Sequence, residues 1–213
     1  MPTTFIGTGS ADAGTLALAL GAAPSATSPE PPAAATWDWD WRGLLTGWRS
    51  EVAALPAADQ VVVCTWPDPA PRVELLELGP VRWRREVEWP TALWFTTLAV
   101  ATGRCRDGGA IVVVVDRPAP LDAPGHGAAV TVGDGVVNLV RSLAATEGGR
   151  GVRVNAVLSA RPVAPRDLAG SPTPLTTSPG RVDVEIAGAV RMLLSDDGAG
   201  LTGTVLPATG GHP

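Results

Sequence analysis

The sequence contains no tyrosine, and its 16 basic residues are all arginine, so it contains no lysine either. That double absence excludes any chemistry resting on a phenol activated by an ammonium group, or on a Schiff-base amine. Cysteine is nearly absent: Cys64 and Cys105 are the only two. They suggest no disulfide framework, and a reducing cytoplasm is the expected compartment. The histidines are His126 and His212, and with two scattered cysteines they give no expectation of a metal site. No run of positive charge occurs and the formal net charge is −5, which argues against nucleic acid or an anionic membrane as the main partner. The apolar runs are short and broken by Gly, Pro or Arg, so no membrane span is expected. No charged segment followed by an apolar stretch opens the chain, so no secretory leader is expected.

What is present fits one compact domain over 1–213, with 45% hydrophobic and 17% charged residues. Abundant Ala, Gly and Pro, with Arg as the sole cation, read as the usage of a high-GC bacterial genome. All eight tryptophans fall in the first half: Trp37, Trp39, Trp41, Trp48, Trp66, Trp83, Trp89 and Trp94. They imply either core packing and a covered interface, or a platform for a flat ligand.

Along the chain, Thr3 to Gly7 reads as a strand and Thr15 to Leu20 as a short helix. Residues 22–36, rich in Pro, Ala and Ser, fit no periodic element and are expected to be an irregular or mobile connection. Leu44, Leu45, Trp48, Val52 and Leu55 predict a helix with one buried face. QVVVC (60–64) and AIVVVV (110–115) are the fully apolar runs of buried parallel strands. Between and after them come helices at Pro90–Thr102 and Val130–Thr146, a strand at Val152–Leu158, a proline-rich irregular stretch at Pro162–Gly180, a helix at Val182–Leu194 and a strand at Thr204–Pro207. Alternating strands and helices imply a doubly wound α/β domain with a mostly parallel sheet.

GGAIVVVV (108–115), NLVRSLAAT (138–146), GVRVNAV (151–157) and EIAGAVRMLLSDDGAGLTGTVLPATGG (185–211) together resemble the short-chain dehydrogenase/reductase family. The nearest branch is that of the 3-oxoacyl-carrier-protein reductases, and the likeness covers about half of the chain. It implies a Rossmann-like parallel sheet. It also makes the first half anomalous. The family's TGxxxGxG loop is represented by TGSADAGT (8–15), where Gly9 is in register and Ala13 and Thr15 stand at the other glycine positions. Those glycines let backbone N–H groups approach a pyrophosphate. The family's second strand, helix and third strand need room on the scale of a βαβ unit, roughly 30 residues or more, and only the low-complexity segment is available, so this region is expected to be reduced. Trp66 replaces a small residue beside the cofactor path, as a cleft blocker. The resemblance therefore implies no bound cofactor.

The catalytic positions are also replaced. Aligned on the helix text, the family's tyrosine falls at Ala129, its lysine at Gly133, its serine at Asp116 and its asparagine at about Glu88. No shift of register can restore a tyrosine or a lysine. Ser159-Ala160 stands where the family's PG pair borders the nicotinamide. Glu88, Asp116 and His126 could still form a cofactor-independent acid/base group, against the alternative of relaxed positions that drifted to solvated acids and an exposed loop histidine. Cys64 reads as a buried inert thiol. Arg82, Arg84 and Arg85 around Trp83 read as a solvated loop or interface rim, or as a docking patch for an acidic acyl-carrier protein or its phosphopantetheine arm.

Two functional expectations follow. The first is a non-catalytic subunit pairing with an active reductase through helices near 90–103 and 130–146, or through 182–208, in acyl or polyketide-type metabolism, where it could supply an acyl-chain wall. The second is a cyclase, dehydratase or isomerase working from the former cleft. A cleft filled by indoles and an exposed apolar helix face would favour the first; a ligand-sized apolar pocket lined by Glu88, Asp116 or His126 would favour the second.

Overall fold

The computed structural model describes residues 3–22, 24–32, 35–65, 73–117, 125–159 and 181–208. Six strands form a single parallel sheet: β1 (Thr3–Gly7), β2 (Pro24–Thr27), β3 (Ala58–Cys64), β4 (Cys105–Asp116), β5 (Arg153–Ser159) and β6 (Val205–Ala208), in the spatial order β2-β1-β3-β4-β5-β6. The helices are α1 (Ala11–Ala19), α2 (Arg42–Ala53), α3 (Pro80–Trp83), α4 (Trp89–Ala101), α5 (Gly127–Glu147) and α6 (Ala187–Leu194). This is the doubly wound α/β architecture that the alternation of elements predicts.

The two-residue period of the strands divides the apolar runs between two cores. Ile6, Val61, Val63, Ile111 and Val113 point to one face, where α2, α4 and α5 cover them with Trp48, Val52, Leu93, Leu98, Val136 and Val140. Phe5, Val62, Cys64, Val112 and Val114 point to the other, under Leu16 of α1 and Val190 and Leu193 of α6. The uninterrupted valines of β3 and β4 are thus required by helices on both sides.

The segment 22–36 departs from expectation, because it contains β2. Ala26 and Thr27 lie beside Ile6 and Gly7, and the Ser25 hydroxyl accepts from the Phe5 amide at 3.2 Å. Main-chain pairing to an otherwise open sheet edge makes a strand here with almost no apolar side chains, so periodicity could not show it. Among the described residues β2 is the sheet edge.

The arginine-rich stretch is helical rather than a loop. α3 runs through one π turn (Arg84–Glu88) into α4, with the Trp89 amide bonded to the Arg84 carbonyl. Pro90 lacks an N–H and its ring crowds the preceding turn, which explains why the turn widens there. Arg84 lies over Trp41 at 4.4 Å and Trp37 at 5.6 Å, and donates to the Trp39 carbonyl at 2.7 Å. Trp39 and Trp41 in turn pack on Trp89. Trp48 donates to Thr97 Oγ1 at 2.8 Å inside the core. Trp48, Trp89 and Trp94 are therefore core and Trp39 and Trp41 pack against it, while Trp37 and Trp83 are exposed. Trp66, the stretch 162–180 and His212 lie outside the described residues.

One helix bears on the expectation that no segment spans a membrane. Gly127–Arg150 is long and apolar enough to cross a membrane by length and composition. Its Val136, Val140 and Ala144 are nevertheless buried on the sheet, as in the core helix of a packed domain.

The closing region is fixed by Asn155, which is fully buried. Its amide donates to the Leu201 carbonyl at 2.8 Å, and its carbonyl oxygen accepts from the Thr204 amide at 3.0 Å. Asn155→Ala is expected to cost about 2 kcal/mol by urea unfolding, since both backbone groups lose their partner. An unchanged midpoint would mean that water replaces the side chain there.

Candidate functional site

In open parallel sheets, ligands bind beyond the carboxyl ends of the strands, where successive connections leave in opposite directions. That point lies here between β1 and β3. The Thr8 amide extends their pairing by bonding the Cys64 carbonyl at 3.0 Å, and Thr8 and Thr65 then open a cavity of about 570 Å³. The strand ends contribute Thr8, Thr65, Val115 and Asp116 to it. The α3–α4 helix contributes Arg82, Arg85, Glu86, Trp89, Leu93 and Trp94, at the spacing of one helical face. The start of α5 contributes His126, Ala129, Val132 and Gly133.

The sequence-derived positions are sorted by this geometry. Asp116, Ala129 and Gly133 all face the cavity, as does His126. His126 is not an exposed loop residue: it is 5% accessible and precedes the first turn of α5. Glu88 is absent from the lining. The helix turns it away and presents Glu86 instead, which binds Arg82 at 2.8 Å. Residue-by-residue alignment could not find this, because the π turn shifts the register just before Trp89. Trp89 and Trp94 form a wall of the cavity rather than filling it, while Trp66, the expected cleft blocker, lies outside the described residues.

Gly133, where the resemblance places a lysine, lies against the Arg117 stem. A side chain at Gly133 would meet Arg117 Cβ at 3.1 Å and Cγ at 3.2 Å. The Arg117 stem therefore takes that space, while its Nε binds Asp134 at 2.6 Å. Its charge is held by Asp134 on the outer side of α5. Neither a phenol nor an ammonium stands at the strand ends, so the proton relay that the resemblance implies cannot be assembled. Asp116, Glu86 and His126 remain as groups able to move protons.

At the phosphate end the residues present do not fit a dinucleotide. Its pyrophosphate would lie on the N-terminus of α1. The loop before that helix is only Thr8-Gly9-Ser10, so Ala13 and Thr15 are inside α1 and not in a phosphate loop. Ser10 Oγ already accepts the Ala13 amide at 3.2 Å and is itself bonded by Thr8 at 3.1 Å. Asp12 adds a carboxylate to the first turn, the wrong sign beside a phosphate. The acid position that follows the second strand is held by Glu30, which lines the same cavity, so the misfit lies at the phosphate end.

Cys64 and Cys105 are both buried. No cluster of metal-binding side chains occurs among the described residues.

No family model and no curated protein matches the chain. Solved structures do resemble it. A dehydrogenase/reductase from Sinorhizobium meliloti superposes with a TM-score of 0.68 at 20% identity, over 99% of this chain and 95% of that one. An oxidoreductase of the short-chain dehydrogenase/reductase family from Burkholderia thailandensis gives 0.64 at 21% identity, over 99% and 92%. A blue fluorescent protein from a metagenomic library, solved with NADPH, gives 0.66 at 18% identity, over 99% and 97%. The strand order, the helices on both faces and these superpositions agree, and the chain has the fold of the short-chain dehydrogenases/reductases.

Proposed function

We propose that this chain is a short-chain dehydrogenase/reductase-like pseudoenzyme. It serves as the non-catalytic subunit beside an active ketoreductase or dehydrogenase of the same fold, in acyl or polyketide-type metabolism in a bacterial cytoplasm. The observation that carries the pairing is α4. Its thirteen residues hold no charge, and although Leu93, Trp94 and Leu98 are buried, Phe95 on the opposite side is 60% accessible. A helix apolar all round is at home when covered on all sides. The exposed face of the neighbouring α5 carries Thr131, Gly135 and Ser142 together with the charged Asp134 and Arg141. Two such helices make a flat surface that a relative of the same fold can match in place of a second copy. Loss of the tyrosine and lysine, with a capped and acidic α1 terminus, supports reading the chain itself as no oxidoreductase. The Arg82–Arg85 region remains the surface best suited to an acyl-carrier protein.

A second reading is favoured by the cavity. A space of about 570 Å³ is ligand-sized, and Asp116, Glu86 and His126 on its wall suit a cofactor-independent cyclase, dehydratase or isomerase.

Affinity capture of the tagged chain from its source organism, followed by native mass spectrometry, tests the pairing. The expected result is a fixed stoichiometry with a reductase subunit that carries the tyrosine and lysine. Phe95→Arg is expected to weaken that complex about 30-fold or more while leaving the circular dichroism spectrum unchanged. A chain recovered alone, or only as a homodimer, overturns the reading.

A further inference from the structure

Among the described residues β2 is the edge of the sheet. An edge strand is a template for another chain, because one row of its N–H and C=O groups faces away from the sheet. The side chains of β2 give little protection. Ala26 is buried in the core, while Ser25 and Thr27 are exposed, and residues 24–29 hold no charge.

The direction of the backbone at this edge follows from one bond. The Ser28 amide donates to the Gly7 carbonyl at 2.7 Å, so residue 28 turns its peptide groups toward β1. Successive residues of an extended chain alternate in this respect, and residues 27 and 29 therefore turn theirs to the open side. Residue 29 is a proline, which has no N–H. In the same alternation the next outward position is residue 31, again a proline, and Pro32 removes the donor that a one-residue slip would present. A strand arriving at this edge meets carbonyls beyond Thr27 but no outward N–H. β1 itself ends at Gly7, so nothing on the inner side imposes a strand on 29–32. Proline also fixes φ and biases the residue before it toward extended backbone. The run is thus stiff and extended, yet unable to complete a ladder.

We infer that the proline run at 29–32 is a guard on the open edge, which stops β2 from extending and from pairing with the β2 of a second copy of this chain. The second copy is the partner to be excluded, because two identical edges can meet about a two-fold axis, each supplying what the other exposes. Shortness and proline are the protections present here, where other edges carry charged side chains. The guard goes beyond the pairing proposed above, involves a different element and does not depend on it.

Sedimentation velocity over a concentration series, with infrared spectra of the amide I band, tests the guard. Every sample carries Phe95→Arg, so that association through α4 does not enter. Pro29→Thr with Pro31→Thr and Pro32→Thr returns the missing N–H groups without adding a large apolar side chain. That variant is expected to self-associate at least about tenfold more tightly than the Phe95→Arg chain, the scale of one or two added backbone hydrogen bonds. The infrared band of intermolecular strands should grow with it. Adding Thr27→Lys, which puts a charge on the same edge, is expected to reverse the association. Circular dichroism of the dilute variants should match that of the Phe95→Arg chain, because the substituted residues lie after the strand. Should the triple variant not fold, Pro29→Thr alone returns the first outward donor and is read in the same way. Association no tighter than that of the Phe95→Arg chain, or association that Thr27→Lys leaves intact, would overturn the guard. Neither outcome touches the reductase complex, which capture of the natural chain reads separately.

Discussion

Putting the family's tyrosine and lysine back, as Ala129→Tyr with Gly133→Lys, is expected to yield no oxidation of NADH or NADPH above the buffer rate with any carbonyl substrate. Working enzymes exceed the uncatalysed rate by about a millionfold or more, so the predicted deficit is very large. Three features stand behind it. Any side chain at Gly133 must displace the Arg117 stem, whose Cβ lies 3.1 Å from the first added carbon. The Ala13 amide in the first turn of α1 is occupied by Ser10, and Asp12 adds a carboxylate to that turn. Asp116 stands where the resemblance places a hydroxyl that would hold the substrate oxygen, and a carboxylate there would disfavour the developing oxyanion. The double variant is also expected to lose about 1–3 kcal/mol of stability from overpacking, measured by urea unfolding. Turnover in the variant, even slow, would show that the dinucleotide site survives and would sink the pseudoenzyme reading.

Raising the pH from 9 to 11 is expected to cost the folded chain about 2–3 kcal/mol through a single thiol. Cys105 is 1% accessible, and burial pushes its thiol from 9.0 up to about 11, against an opposing pull from Arg150. Below pH 9 the thiol is protonated in both folded and unfolded chains, and its contribution is fully present. Between 9 and 11 the unfolded chain releases the proton while the folded chain holds it, so stability falls as the pH rises through that window. Lysine and tyrosine, which normally obscure this range, are absent from the sequence. Urea unfolding under reducing conditions at a series of pH values measures the slope. Cys105→Ala should flatten it, and a variant as steep as the natural chain would assign the loss elsewhere.

Much of the architecture was legible because the residues that make it are periodic. AIVVVV is apolar on both faces only because helices lie on both sides of the sheet. The C-terminal helix and strand were equally plain, since Val190 and Leu193 repeat on one side of α6. β2 was not legible, because Pro-Ser-Ala-Thr has no apolar pattern and is a strand only by virtue of the open edge of β1. The candidate site was half legible. Asp116, Ala129, Gly133 and His126 could be found by alignment and position. Glu86 could not, because one π turn before Pro90 decides which acid faces inward. Thr65 carried no signal at all: an ordinary threonine after an ordinary strand becomes notable only when its burial and missing partner are seen.

The sequence by itself determined that this chain cannot carry the tyrosine–lysine proton relay, because an absent residue type is absent in every conformation. It also determined the α/β class, because hydrophobic period is a property of the chain written in one dimension. Only the tertiary structure decided that the strand ends enclose a cavity, that Arg117 beside Gly133 turns its charge outward to Asp134, and that the Thr65 hydroxyl has no partner among the described residues. Those facts depend on which groups are brought together from distant parts of the chain, and on whether water can still reach them.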